Sequence, residues 1–145
     1  MPPTTLFDPT LLFLRTVWAL DHGLQSHSKR MKAQKGVTGP QRLVLRLLEL
    51  SPGAPPSELA QMLCFHKSTV SVILRSLEQA RLVHRAPHAT DGRAVVLTLT
   101  PKGKRVVKQR SGTVEARFRA TLEGLSPRDV RTAQRVLDAL AGALD

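Results

Sequence analysis

The sequence predicts a mainly α fold with a small β component (α+β), a winged helix-turn-helix carrying extra helices at both ends. Three observations lead there. Apolar residues recur three and four apart over most of the chain, which is the helical period. One stretch, 94–100, alternates residue by residue as a strand does, and turn residues precede it. Of the 145 residues 41% are hydrophobic but only 3% aromatic, so the core must be Leu, Val and Ala, a composition that suits helices.

Taken in order, Asp8 caps and Pro9 opens a first helix over 8–29, with Leu11, Leu14, Val17, Trp18 and Leu24 at helical spacing. Leu12, Phe13 and Leu20 widen its stripe beyond one packing face, which predicts cover by a partner as well. Basic and polar residues over 26–36, ending in Gly36-Val37-Thr38-Gly39-Pro40, predict a linker. A helix over 39–51 follows, with Leu43, Val44, Leu47, Leu48 and Leu50 as its core face, and Ser51-Pro52-Gly53-Ala54-Pro55-Pro56 breaks it. Pro56 opens a helix over 56–64 that buries Leu59, Ala60, Met62 and Leu63. The next, 67–81, has Val70, Ile73, Leu74 and Leu77 as its inner stripe. Strands at 82–86 and 94–100 flank a turn at Pro87 to Gly92; Val95, Leu97 and Leu99 share one face. From Pro101 the period is helical again, with Val107, Val114, Phe118, Leu122 and Leu125 in one stripe. Ser126-Pro127 starts a last helix whose Val130, Ala133, Leu137, Leu140 and Leu144 form a seam for another helix. The chain thus divides into an N-terminal helix and linker (1–38), a central lobe (39–100) and C-terminal helices (101–145).

With 22 Lys and Arg against 11 Asp and Glu, the net charge of +11 favours nucleic acid or an anionic surface as partner. Free use of Arg in a GC-rich genome gives the same balance, so charge alone does not decide. Cys64 is the one cysteine, which excludes an internal disulfide framework and a Cys-based zinc finger and suits a reducing cytoplasm. The N-terminus has no signal-peptide pattern, and Arg and Lys interrupt every apolar run before transmembrane length, so no membrane role is expected. The sequence has no glycine-rich phosphate loop, nucleophile elbow or paired-carboxylate setting, so no enzyme and no cofactor are expected. His22, His27, His66, His84 and His88 form no ligand set with carboxylates, so no metal is expected either.

The order helix, tight turn, helix, hairpin over 57–101 decides the matter. It presents one helix to the DNA major groove and a hairpin to the flanking minor groove, which makes double-stranded DNA the expected partner. Ala60 is the small residue that lets the second helix cross closely. Short polar side chains belong in the first turns of that second helix, where base edges are reached. Lys67 pairs most simply with phosphate; Ser68, Thr69, Ser71 and Arg75 are candidates for base or phosphate contact. Val72 is apolar on the same outer side. It is either a contact to a thymine methyl or, the preferred reading, a neutral surface residue. At the hairpin tip Gly92 permits the turn, and Arg93 reaches a phosphate or a narrow minor groove. Asp91 would repel phosphate, so its role is to support the wing by holding Arg93 or a backbone N–H.

These fragments, Ser57-Glu58-Leu59-Ala60, Lys67-Ser68-Thr69-Val70-Ser71, Leu77-Glu78, Leu82-Val83 and Asp91-Gly92-Arg93 with Leu97-Thr98-Leu99-Thr100-Pro101-Lys102-Gly103, together resemble the MarR family of bacterial regulators. The resemblance implies a homodimer whose N- and C-terminal helices intertwine, binding pseudo-palindromic operators and mostly repressing. It implies a small-molecule effector bound between the dimer helices and the DNA-binding lobe, with DNA contacts at Ser68, Thr69, Ser71, Arg75 and Arg93. Three features depart from the pattern: Cys64-Phe65 stands in the turn where a small residue is common, His66 where a stronger cap is usual, and Val72 where a basic or polar residue is frequent. Cys64 is read as a small buried thiol ahead of a redox sensor. Phe13, Trp18 and Phe118 are candidate walls of the effector pocket, though core positions are preferred for them. Lys29-Arg30-Met31-Lys32 and Lys102-Gly103-Lys104-Arg105 are solvated faces or extra backbone contacts. The rival reading is a winged-helix module that docks a protein and not DNA; the exposed Val72 motivates it, and salt titration separates the two.

Overall fold

A computed structural model of the chain describes residues 8–92 and 94–145. They fall into two compact units that meet in sequence between Arg110 and Ser111. The first unit holds α1 (Pro9–Lys35), α2 (Gly39–Leu50), α3 (Pro56–Leu63), α4 (Lys67–Gln79), β1 (Val83–Pro87), β2 (Val95–Leu99) and α5 (Pro101–Lys108). The second holds α6 (Val114–Leu122) and α7 (Pro127–Ala143).

The Asp8 carboxylate accepts the Thr10 N–H at 2.8 Å, and Pro9 follows as the first helical residue, as the sequence predicts. The linker expected at 26–36 is instead the last turns of α1. Polarity misled there: Lys, Arg, Gln, Met and Ala are good helix formers, and neither Pro nor Gly interrupts them before Gly36. Gly36 ends the helix at φ 80°, a left-handed conformation that favours glycine, and its N–H bonds to the Lys32 carbonyl at 2.9 Å. α2 starts on a full capping box: Thr38 Oγ1 accepts from Gln41 N at 3.2 Å, and Gln41 Oε1 accepts from Thr38 N at 2.9 Å.

The core of the first unit is aliphatic. Val44, Leu45 and Leu48 of α2, Leu59 and Ala60 of α3, and Val70, Ile73, Leu74 and Leu77 of α4 pack with Leu82, Val83, Leu97 and Val107. Leu43, Leu50 and Met62, expected inside, are exposed. In a run as rich in Leu as 43–50, apolarity does not tell which face turns inward; Leu45 and the buried Arg42 take the places expected of Leu43 and Leu50. The hairpin pairs antiparallel in the register Val83 with Leu99, Arg85 with Leu97 and Pro87 with Val95, which turns Leu97 onto the core.

One further expectation is corrected after Pro101. The apolar stripe from Val107 to Leu125 does not belong to one helix: α5 ends at Lys108, Gly112 sits at φ 70°, and Thr113 caps α6 by accepting from Ala116 N at 3.2 Å. The sequence Ser111-Gly112-Thr113 carries that break, and its period had masked it. α7 starts as predicted, with the Ser126 hydroxyl accepting from Asp129 N at 3.1 Å. Within the second unit Phe118, Leu122, Leu125, Leu137, Leu140 and Leu144 are exposed. No described helix is long and apolar enough to cross a membrane.

Candidate nucleic-acid interface

α3, the turn Cys64–His66 and α4 form the helix-turn-helix. Ala60 is buried where α3 meets α4, and its carbonyl accepts the Phe65 N–H at 3.0 Å to close the turn. Cys64 takes the left-handed conformation, φ 52°, at the C-terminus of α3. For a residue with a β-carbon that conformation costs on the order of 1 kcal/mol, which is why a small residue suits this place. The thiol is exposed, not buried as expected. His66 precedes α4 without any side-chain cap bond, so that helix begins with its first N–H groups turned outward and unclaimed by His66.

The faces of α4 are sharply divided. Val70, Ile73, Leu74 and Leu77 are buried; Lys67, Ser68, Thr69, Ser71, Val72, Arg75 and Gln79 are exposed. At about 100° per residue, the line directly opposite the core runs through Ser68, Val72, Arg75 and Gln79. Thr69 and Ser71 flank that line, and Lys67 sits at the first position. All five predicted contact residues are thus exposed, with Ser68 and Arg75 on the outward line itself. Gln79 was missed by sequence reasoning, although its spacing of eleven from Ser68 puts it on the same ridge.

The wing is held against α4 by bonds that have no short-range signature. Arg85 Nε donates to Glu78 Oε1 at 2.7 Å, tying β1 to the last turn of the helix. The start of α5 receives the carbonyls that leave α4: Lys102 Nζ donates to Ala80 O at 3.1 Å, Thr100 Oγ1 to Arg81 O at 2.6 Å, and Thr100 N to Leu82 O at 3.1 Å. Arg81 itself adopts φ 59° to make this exit. Lys102 in the second basic cluster therefore has a structural bond and is not merely a solvated charge.

At the wing tip His88 is the organiser. Its Nδ1 accepts from Thr90 N at 3.2 Å and Asp91 N at 3.3 Å. His88 N donates to Ala94 O at 2.9 Å, and the Asp91 carbonyl accepts from Ala94 N at 3.0 Å. The Asp91 main-chain carbonyl thus helps close the wing turn, while Arg93 lies outside the described residues. The sequence, read for ligand sets alone, gives His88 no role. His88→Ala should leave the core intact, speed amide exchange at Thr90 and Asp91, and weaken duplex binding several-fold; unchanged exchange at both amides would refute the role.

The candidate effector-pocket residues sit on open faces. Phe13 and Trp18 lie on α1 and Phe118 on α6, and all three are exposed, so the preference for core positions is corrected. Among the described residues no three His, Cys, Asp or Glu side chains gather as metal ligands.

Comparison with known proteins agrees with this geometry. The MarR family model matches residues 35–94, the segment from the end of α1 through the wing tip. The HTH-type transcriptional repressor Rv2887 of Mycobacterium tuberculosis is 32% identical over 105 residues, covering 72% of this chain and 76% of that protein. The chain belongs to the MarR family. This MarR-family protein is a DNA-binding transcription regulator and not an enzyme. Its fold is also that of S. aureus MepR in a DNA complex (TM-score 0.73, 22% identity, 94% of this chain and 98% of that one). It matches PcaV of Streptomyces coelicolor, solved with its natural ligand, equally well (TM-score 0.72, 22% identity, 94% of both chains).

Proposed function

We propose that this MarR-family regulator is a cytoplasmic homodimeric repressor that binds pseudo-palindromic duplex DNA and leaves it when a small effector binds. The observation that carries the reading is the α4 ridge of Ser68, Val72, Arg75 and Gln79, which points away from a wholly aliphatic core. A net charge of +11 supports a polyanionic partner. Dimerisation is supported by the uncovered apolar faces of α1, α6 and α7, which a second copy of the same helices would cover; Trp18 is 65% exposed in the single chain. In this reading residues 1–38 and 101–145 serve dimerisation and 39–100 the DNA. Two lobes then reach successive major grooves about one helical turn apart, and an effector works by favouring a dimer with the wrong lobe spacing. Repression is supported by the printed name of Rv2887, and ligand control by the PcaV complex. Lys67, Ser68, Thr69, Ser71 and Arg75 are the assigned contacts on α4, Arg93 on the wing, with Asp91 as wing support and Phe13, Trp18 and Phe118 beside the effector.

Duplex binding to fragments selected from genomic DNA tests the reading. Affinity should fall steeply with salt. Arg75→Ala should cost about 1–3 kcal/mol per half-site, a loss of roughly 5- to 150-fold. Salt-independent binding, or unchanged affinity in Arg75→Ala, would overturn the interface assignment.

A further inference from the structure

We propose that Val72 reads the 5-methyl group of a pyrimidine, thymine in ordinary DNA, in each half-site. The inference rests on the DNA-binding reading above and goes beyond it to a specificity-determining residue. Val72 is the one apolar side chain among the exposed residues of α4, and it is 62% exposed. It makes no part of the core cluster and is not packed against it. Its place is on the outward ridge, one turn after Ser68 and one turn before Arg75, so a helix seated in the major groove puts Val72 at the groove floor between two polar contacts.

The chemistry then narrows what can face it. Valine has no donor or acceptor, so any base edge it covers loses water without receiving a hydrogen bond. Donor and acceptor edges are penalised by that loss. The one apolar feature of the major-groove edges is the pyrimidine 5-methyl group, which thymine carries and which 5-methylcytosine shares. A β-branched side chain in a helix is held in one rotamer, so its methyl groups are already placed before binding. Ser68 and Arg75 on either side hold the register in which that contact is made.

The test uses the full-length protein and duplexes selected from a random pool. Each thymine of the half-site is replaced symmetrically by deoxyuridine, and affinities of the wild type and Val72→Ala are compared by fluorescence anisotropy. At one position deoxyuridine should weaken the wild type about fourfold per half-site, and Val72→Ala should bind the two duplexes alike. If the coupled position is a cytosine, its 5-methylation should strengthen the wild type alone, which supports the same contact from the other source. Coincident circular-dichroism spectra and thermal unfolding midpoints of the two proteins control for folding. Methyl removal that costs both proteins the same at every position overturns this inference and leaves the DNA-binding reading standing. Failure to select any duplex overturns both.

Discussion

Replacing Gly103 by Ala is expected to destabilise the protein by about 2–3 kcal/mol, the opposite sign from helix propensity. In an open helix Gly→Ala stabilises by roughly 0.5–1 kcal/mol. Here a β-carbon would stand 2.1 Å from the Leu82 carbonyl oxygen and 3.1 Å from its carbon. Both are backbone atoms and cannot rotate aside. α5 must lift from the start of β1 to relieve the overlap. The bond from Thr100 N to Leu82 O, 3.1 Å long, and that from Thr100 Oγ1 to Arg81 O are strained with it. Overpacking of this kind costs about 1–3 kcal/mol, and a weakened backbone bond about 1 more, which outweighs the propensity gain. Thermal unfolding followed by circular dichroism should show the midpoint about 10 °C lower. A midpoint that holds or rises would refute the close approach. Because the same contacts set the wing against α4, duplex affinity should fall beyond what unfolding explains.

Arg42→Met is expected to cost about 3 kcal/mol. Arg42 is 2% exposed, and its guanidinium donates to Val106 O at 3.0 Å and Val107 O at 3.1 Å. These carbonyls lie in the last turn of α5, where the helix dipole favours a cation; Val106 O also accepts the Gln109 N–H at 3.2 Å. Met fills similar space but offers no donor, so the Val107 carbonyl loses its guanidinium bond and the Val106 carbonyl keeps only the Gln109 N–H; losing charge-assisted bonds costs about 1.5–3 kcal/mol each, partly offset by the apolar gain. Arg42→Lys should fall between, since an ammonium is a compact charge that cannot reproduce the guanidinium fork. Urea unfolding midpoints at unchanged slope measure the series. Equal stability of Met, Lys and wild type would remove the anchoring role.

Elements with strong local chemistry were legible in the sequence. Asp8-Pro9, Pro56 and Ser126-Pro127 announce helix starts, and the structure begins α1, α3 and α7 there. Val70, Ile73, Leu74 and Leu77 announce the inner face of α4, and by subtraction its outer ridge. What failed has a common cause. The polar tail of α1 looked like a linker because polarity was weighed above propensity, and the stripe from Val107 to Leu125 looked continuous because two helices happen to share a phase. The bonds of Arg42 to α5, Lys102 to Ala80 and Arg85 to Glu78 join residues brought together by the fold, so no spacing rule reveals them. His88 is intermediate: a histidine two residues before a threonine is a local arrangement, but only the turn's geometry makes its ring the acceptor.

Trp18 has a practical consequence. It is the only tryptophan of the chain, and the chain contains no tyrosine. Near-ultraviolet emission therefore originates from a single indole on the outer side of α1, with neither the wing lobe nor the aliphatic interior contributing. Any blue shift or quenching on dilution, or on adding a candidate effector, localises the event to that helix. The protein carries its own optical gauge of whether that surface is wet or covered.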